Sequence, residues 1–171
     1  MSFENIIGNE KVKELLNKTI SSNNILHSYL FLGIEGIGKS LFAKEFAKMI
    51  LCQEEKRACN KCKSCIEFEN GNNPDFAIIE AEEKNIKIEQ IRYIEQKISE
   101  KPITSNRKVY IINNSDTMTK EAQNCLLKTL EEPPEYATII LISSNENKLL
   151  NTIRSRCIKI NFNKLNEEAI R

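Results

Sequence analysis

Gly33-Ile34-Glu35-Gly36-Ile37-Gly38-Lys39-Ser40 fills every fixed position of the phosphate-binding octad G-x-x-x-x-G-K-[ST]. Tyr29-Leu30-Phe31-Leu32 precedes it, short and apolar, as a buried strand requires. Leu41 to Leu51 follows, with Phe42, Phe46, Met49 and Ile50 at helical spacing. Strand, glycine-rich turn and helix in that order are the context in which the octad has a physical meaning. Glycines let backbone N–H groups close around phosphate oxygens, and the helix N-terminus adds partial positive charge. Gly33, Gly36, Ile37, Gly38, Lys39 and Ser40 are therefore the candidate nucleotide-binding residues, with ATP or ADP as ligand. Lys39 would reach the β/γ-phosphates and Ser40 would offer its hydroxyl to magnesium.

Beyond the loop, apolar runs and helical patterns alternate. The pattern predicts an amphipathic helix over roughly residues 9 to 22, ended by Ser21-Ser22-Asn23-Asn24. After the turn cluster Gly71-Asn72-Asn73-Pro74-Asp75 come a strand over Phe76 to Ile79 and a helix carrying Ile88, Ile91, Ile94 and Ile98. Val109 to Ile112 and Thr138 to Ile142 read as strands buried on both faces. Ala122, Leu126, Leu127 and Leu130 mark a helix stopped by Pro133-Pro134. Leu149, Leu150 and Ile153 suggest a short helix, and Cys157 to Phe162 a fifth strand. The expected class is α/β, a three-layer P-loop fold around a five-stranded parallel sheet.

Between the loop's helix and the second strand stand Cys52, Cys59, Cys62 and Cys65. Two overlapping C-x-x-C steps and one outlying cysteine suit a closed, structural, four-thiolate zinc site. An iron–sulfur cluster, free thiols and a redox pair are the rivals. Arg57, Lys61 and Lys63 stand beside the thiolates and would offset part of their charge. The segment is otherwise expected to be irregular. Cys125 and Cys157 lie in apolar contexts and read as core residues.

A P-loop hydrolase needs acids after its third strand, to help hold magnesium and to activate water. Here Val109-Tyr110-Ile111-Ile112 is followed by Asn113-Asn114-Ser115-Asp116. An amide can offer a carbonyl to a cation but supplies no charge and accepts no proton near neutrality. Losing a general base typically lowers rate by ~10²–10⁴, so little or no hydrolysis is expected. Asp116 stands three residues beyond Asn113, where its reach would differ. Arg156, in Ser155-Arg156-Cys157, sits at a corner between helix and strand. It could serve a neighbouring subunit's nucleotide or simply be solvated or ion-paired within the chain, and Arg154 is equally placed by spacing. Glu131-Glu132 ends its helix as either a solvated terminus or a functional pair. His27, the only histidine, is structural or lines the nucleotide cleft.

Composition limits the classes. Twenty-five Lys and Arg against 24 Asp and Glu leave a net charge of +1, which disfavours a nucleic-acid grip through bulk charge. No apolar run is long enough for a membrane span, and Met1-Ser2-Phe3-Glu4-Asn5 lacks a secretory pattern, so a reducing cytoplasm is the expected setting.

Together, Ser28-Tyr29-Leu30-Phe31, the octad, the four cysteines, Asn72-Asn73-Pro74-Asp75, the run from Leu126 to Pro134 and Ser155-Arg156-Cys157 resemble bacterial clamp-loader AAA+ subunits over nearly the whole chain. The resemblance implies an AAA+ domain over residues 1–163, with the zinc module at about 52–70, and the start of a helical lid domain at 164–171. Asn166 as N-cap with Glu167 and Glu168 agrees with a helix beginning there. It also implies a part in DNA polymerase III holoenzyme, loading a sliding clamp onto primed DNA beside gamma/tau motor and delta subunits. Asn113-Asn114 and Asp116-Thr117-Met118-Thr119 look like the delta-prime type, in which the arginine of Ser-Arg-Cys completes the adjacent motor subunit's ATP site. That would make Arg156 an arginine finger acting in trans. Some delta-prime subunits have a degraded phosphate loop; this one is intact. A gamma/tau-like ATPase is the alternative.

Overall fold

The computed structural model describes Phe3, Ile6 and residues 8–55 and 57–163. Residues 164–171, where the second domain is expected to begin, lie outside the described residues. The elements run α1 (Glu10–Ser21), β1 (Ser28–Leu32), α2 (Lys39–Leu51), α3 (Lys63–Glu69), β2 (Phe76–Ile79), α4 (Ile88–Ile98), β3 (Lys108–Ile112), α5 (Lys120–Glu131), β4 (Ala137–Ser143), α6 (Asn151–Arg154) and β5 (Ile158–Asn161). Single 3₁₀ turns cover Ser115–Thr117 and Glu146–Lys148.

The five strands form one sheet in the order β2-β3-β4-β1-β5, and every pairing is parallel. The three central strands β1, β3 and β4 are buried along their whole length. Their near-continuous apolar sequence follows, because both faces are covered. Alternate side chains feed two cores. Phe31, Val109, Ile111, Ile140 and Ile142 pack with α1 and α2, around a cluster of Phe31, Phe42, Phe46 and Phe162. Leu30, Tyr110, Ile112, Ile139 and Leu141 pack on the other face with α4, α5 and α6. Helix–sheet–helix layering is thus dictated by period-2 alternation within strands that carry no polar side.

Local signals set the ends of the helices. Thr119 caps α5 by accepting from the Ala122 N–H at 3.1 Å. Gln90 Oε1 reaches back to the Lys87 N–H at 3.0 Å, half of a capping box on α4. The register leaves the C-terminal ends of β1, β4 and β3 side by side, with Leu32 opposite Ser143 and Ile112 opposite Leu141. Open parallel sheets bind ligands outside that edge.

Three expectations change. The cysteine segment is not irregular throughout, since α3 begins directly after Cys62. The Cys62 sulfur accepts from the Cys65 N–H and caps the helix, a device with no apolar period to announce it. The short helix near Leu149 resolves into the 3₁₀ turn and α6. Cys157 is buried as expected, but Cys125 is half-buried and its thiol donates to Glu95 Oε2 at 3.1 Å, so it belongs to the α4–α5 seam and not to the core.

Candidate functional site

The phosphate loop lies between β1 and α2. Gly36 and Gly38 have φ of +79° and +94°, in the left-handed region that favours glycine. Nothing lies within 4 Å of where their Cβ atoms would be, so backbone conformation and not crowding is what calls for glycine there. Gly38 is the N-cap of α2 and no side chain caps that end. The first N–H groups of the helix, which have no intrahelical acceptor, therefore face the loop. An anion fits this cradle.

Lys39 is buried, and its Nζ donates to the carbonyls of Gly33 and, at 3.2 Å, Ser143. Burial lowers its pKa, while the negative charges of Asp116 and Glu35 act in the opposite sense. Its ammonium is thus held on its own loop and on the end of β4. Ser40 is half-buried in the first turn of α2.

The end of β3 separates the amides from the acid. Asn113 Nδ2 donates to Glu80 Oε1 at 3.2 Å, beyond the end of β2 and away from the loop. Asn114 is exposed with φ of +48°. The chain then turns back. Ser115 Oγ donates to the Ile142 carbonyl at 3.0 Å, and Asp116 Oδ1 accepts from Ser143 Oγ at 3.0 Å. Ser115 and Asp116, not Asn113, tie the end of β3 to the strand that flanks the loop, and Asp116 is the acid of the pair. Ser143 went unnoticed in the sequence, and the signal available was a hydroxyl residue closing an apolar strand.

The four cysteines converge. Their sulfurs all lie within 4.8 Å of one another. A tetrahedral zinc with Zn–S of about 2.3 Å needs sulfurs about 3.8 Å apart, and Cys52 and Cys62 stand at 4.0 Å. The Lys61 and Cys62 N–H groups donate to Cys59 Sγ at 3.4 and 3.2 Å, and the Cys65 N–H to Cys62 Sγ at 3.4 Å. The bonds from the Lys61 and Cys62 N–H groups bring the Cys59 thiol down to about 6, while burial pushes the Cys65 thiol up. The donor set and spacing fit a thiophilic metal ion. Arg57 donates to the Cys52 carbonyl at 2.9 Å, whereas Lys63 is directed to Glu67 at 4.0 Å and is not aimed at the thiolates.

The module is bolted to the domain by polar bonds. Buried Lys48 of α2 reaches Asn60 and, at 2.5 Å, Glu69. Asn73 Nδ2 donates to the Ser64 carbonyl at 2.9 Å. Thr104 Oγ1 donates to Glu67 Oε1 at 3.1 Å, and the segment that carries Thr104 is itself fixed outside the module by Asp75, fully buried, which accepts from the N–H groups of Ile103, Thr104 and Ser105 at 2.7, 2.8 and 2.6 Å.

At the corner between α6 and β5, Arg156 is exposed and pairs with Glu131 Oε1 at 3.0 Å, while also donating to the Thr152 carbonyl at 3.1 Å. Arg154 is half-buried and bonded to Asn151 within α6. Of the two arginines, Arg156 is the one presented outward. His27 precedes the N-terminal end of β1, at the edge of the sheet opposite the loop, with Nδ1 3.1 Å from the Ala137 carbonyl. It does not line the nucleotide cleft.

The chain is similar to known proteins over nearly its whole length. The chain is 37% identical over 161 residues to the DNA polymerase III subunit delta' of Bacillus subtilis, covering 94% of the chain and 49% of that protein. It is 35% identical over 171 residues to the DNA polymerase III subunit tau/gamma of Haemophilus influenzae, covering 99% of the chain and 25% of that protein. It therefore spans half or less of the length of these relatives. Among solved structures, a DNA polymerase III gamma subunit-related protein of Thermotoga maritima superposes with a TM-score of 0.62 at 28% identity, covering 93% of this chain and 46% of that one. A RuvB of Thermotoga maritima, at 18% identity, shares the fold with a TM-score of 0.64 over 99% of this chain and 50% of its own. The family model described as "DNA polymerase III, delta subunit" matches residues 8–166. With its parallel sheet, intact phosphate loop and cysteine cluster, the chain belongs to that family and carries the AAA+ fold of the clamp-loader subunits.

Proposed function

We propose that the chain is the AAA+ portion of a delta-prime-type clamp-loader subunit. It binds nucleotide with little or no turnover of its own, and it acts within the DNA polymerase III holoenzyme in the cytoplasm. One observation carries the reading. The two positions after β3 that would hold cation and water in a hydrolase are amides, one bonded to Glu80 and the other exposed in left-handed conformation. Neither can serve as a base near neutral pH. Such a subunit contributes by contact. Arg156 would act as a finger in trans, stabilising charge on nucleotide held by a gamma/tau motor subunit, with a rate effect of about 10³–10⁵. The other partners are the delta subunit, the sliding clamp and primer-template DNA, reached through the assembly. Zinc in the cysteine site is structural, and ATP or ADP with magnesium occupies the phosphate loop.

Steady-state ATPase of the full-length subunit, alone and then reconstituted with its partners, tests the reading. We expect little or no turnover alone, and slowed turnover of the assembly on Arg156→Ala. Turnover by the lone subunit at the rate of the motor subunit overturns it. A gamma/tau-like ATPase is the second reading, favoured by the intact phosphate loop and by near-equal identity to tau/gamma relatives.

A further inference from the structure

Ser143 is a junction between the phosphate loop and the end of β3. Its carbonyl accepts from the Gly33 N–H at 3.3 Å and from Lys39 Nζ at 3.2 Å. Its hydroxyl donates to Asp116 Oδ1 at 3.0 Å and accepts from the Asn145 N–H at 3.0 Å. Asp116 is fixed from behind, because Ser115, its neighbour in the 3₁₀ turn, is fully buried and bonded to the Ile142 carbonyl at 3.0 Å. A carboxylate is therefore held on the same residue, Ser143, whose carbonyl accepts from Lys39. The position that the third strand would ordinarily give to an acid is taken by Asn113, bonded away from the loop at Glu80.

We propose that Asp116 is the positioning residue that makes nucleotide binding at this loop depend on a divalent cation. The inference rests on the reading of the loop as a nucleotide site. Its physical basis is the sign of the charge. Without a cation, a fixed carboxylate on the rim repels incoming phosphates and favours retention of Lys39 on the Gly33 and Ser143 carbonyls. With magnesium on the phosphates, the same carboxylate attracts the complex. Ser143 aims the carboxylate through its hydroxyl. Binding and cation dependence can in this way persist while the water-activating acid is missing.

The experiment is calorimetric titration of the full-length protein with ADP, once in excess magnesium and once in excess chelator. Asp116→Asn keeps an oxygen for the Ser143 hydroxyl and removes the charge, and Asp116→Glu restores the charge. The wild-type protein is expected to bind more tightly in magnesium. In Asp116→Asn the affinity falls in magnesium and rises in chelator, so that the ratio of the two collapses by about tenfold. Asp116→Glu recovers most of the ratio. A ratio unchanged in Asp116→Asn, or lost equally in Asp116→Glu, overturns the inference while leaving the nucleotide site intact. Absence of ADP binding to the wild-type protein overturns the nucleotide site itself, and the inference with it. The urea midpoints of the variants identify any change that comes from unfolding.

Discussion

Asp75 has no exposed surface, and its two oxygens are filled by three backbone N–H donors from Ile103, Thr104 and Ser105. Truncation removes the acceptor for all three, and the Ser105 N–H, whose bond is buried, is left without a partner, at about 1–3 kcal/mol. Asp75→Ala is accordingly expected to lower unfolding free energy by about 1–3 kcal/mol in urea titration. Arg156 is the opposite case. Its ion pair with Glu131 is exposed on both sides, with 36% and 49% of the two side chains accessible, and pairs of this kind contribute about 0–1 kcal/mol. Arg156→Ala should leave the urea midpoint almost unmoved while depressing turnover of the reconstituted assembly. A large stability loss would instead assign the arginine a purely internal task. The carboxylate partner of Arg156, Glu131, and the donors to Asp75, in the 103–105 backbone, are distant in sequence. Asp75 lies 28 to 30 positions from its donors, so no local pattern could announce the contact, and the same holds for Ser143 with Asp116.

At the level of elements, strands were legible wherever burial is two-sided. The runs Val109–Ile112 and Thr138–Ile142 carry no polar period because no face of β3 or β4 meets water. Helix α3 was not legible. It is seven residues long, too short to be stable by propensity, and it is held by a sulfur cap, by Lys48 and by Asn73. Those supports define what metal removal should do. Chelation is expected to abolish protection of amides in the module, around residues 52 to 65, while α2 and the sheet keep theirs. Hydrogen exchange followed by mass spectrometry resolves the two. Elemental analysis of fresh protein should find one zinc per chain. Loss of sheet protection on chelation would contradict the brace role. For α5, Thr119→Ala should cost about 1 kcal/mol, the usual value of an N-cap, in the same urea assay.

Across the whole molecule, buried thiols give stability a pH dependence. Burial pushes Cys157 up to about 12, and burial together with Glu95 pushes Cys125 up to about 11, from an ordinary 9.0. Between those values the unfolded chain has released protons that the folded chain keeps. The unfolded state binds fewer protons, so stability falls as pH rises through this window. Lys39 and Lys108, both lowered by burial, act in the opposite sense approaching 10.5. Comparison with a variant separates the two. The stability advantage of wild type over Cys157→Ala should shrink from about pH 8 to about pH 10.5, as read from urea midpoints. A constant difference would show that the thiol ionises equally in both states.

Gly33 meets the far end of the described chain. A Cβ built on it would lie 3.1 Å from both Cβ and the carbonyl oxygen of Phe162. Phe162 in turn donates to Leu32 at 2.7 Å and lies against the rings of Phe31 and Phe42, and the next residue, Asn163, is bonded to Asn9 in both directions. The segment before α1 and the segment after β5 are therefore joined at one clasp, beside the Gly33 turn that opens the phosphate loop. A torque delivered through the backbone beyond Asn163 would reach the cradle without crossing the rest of the domain.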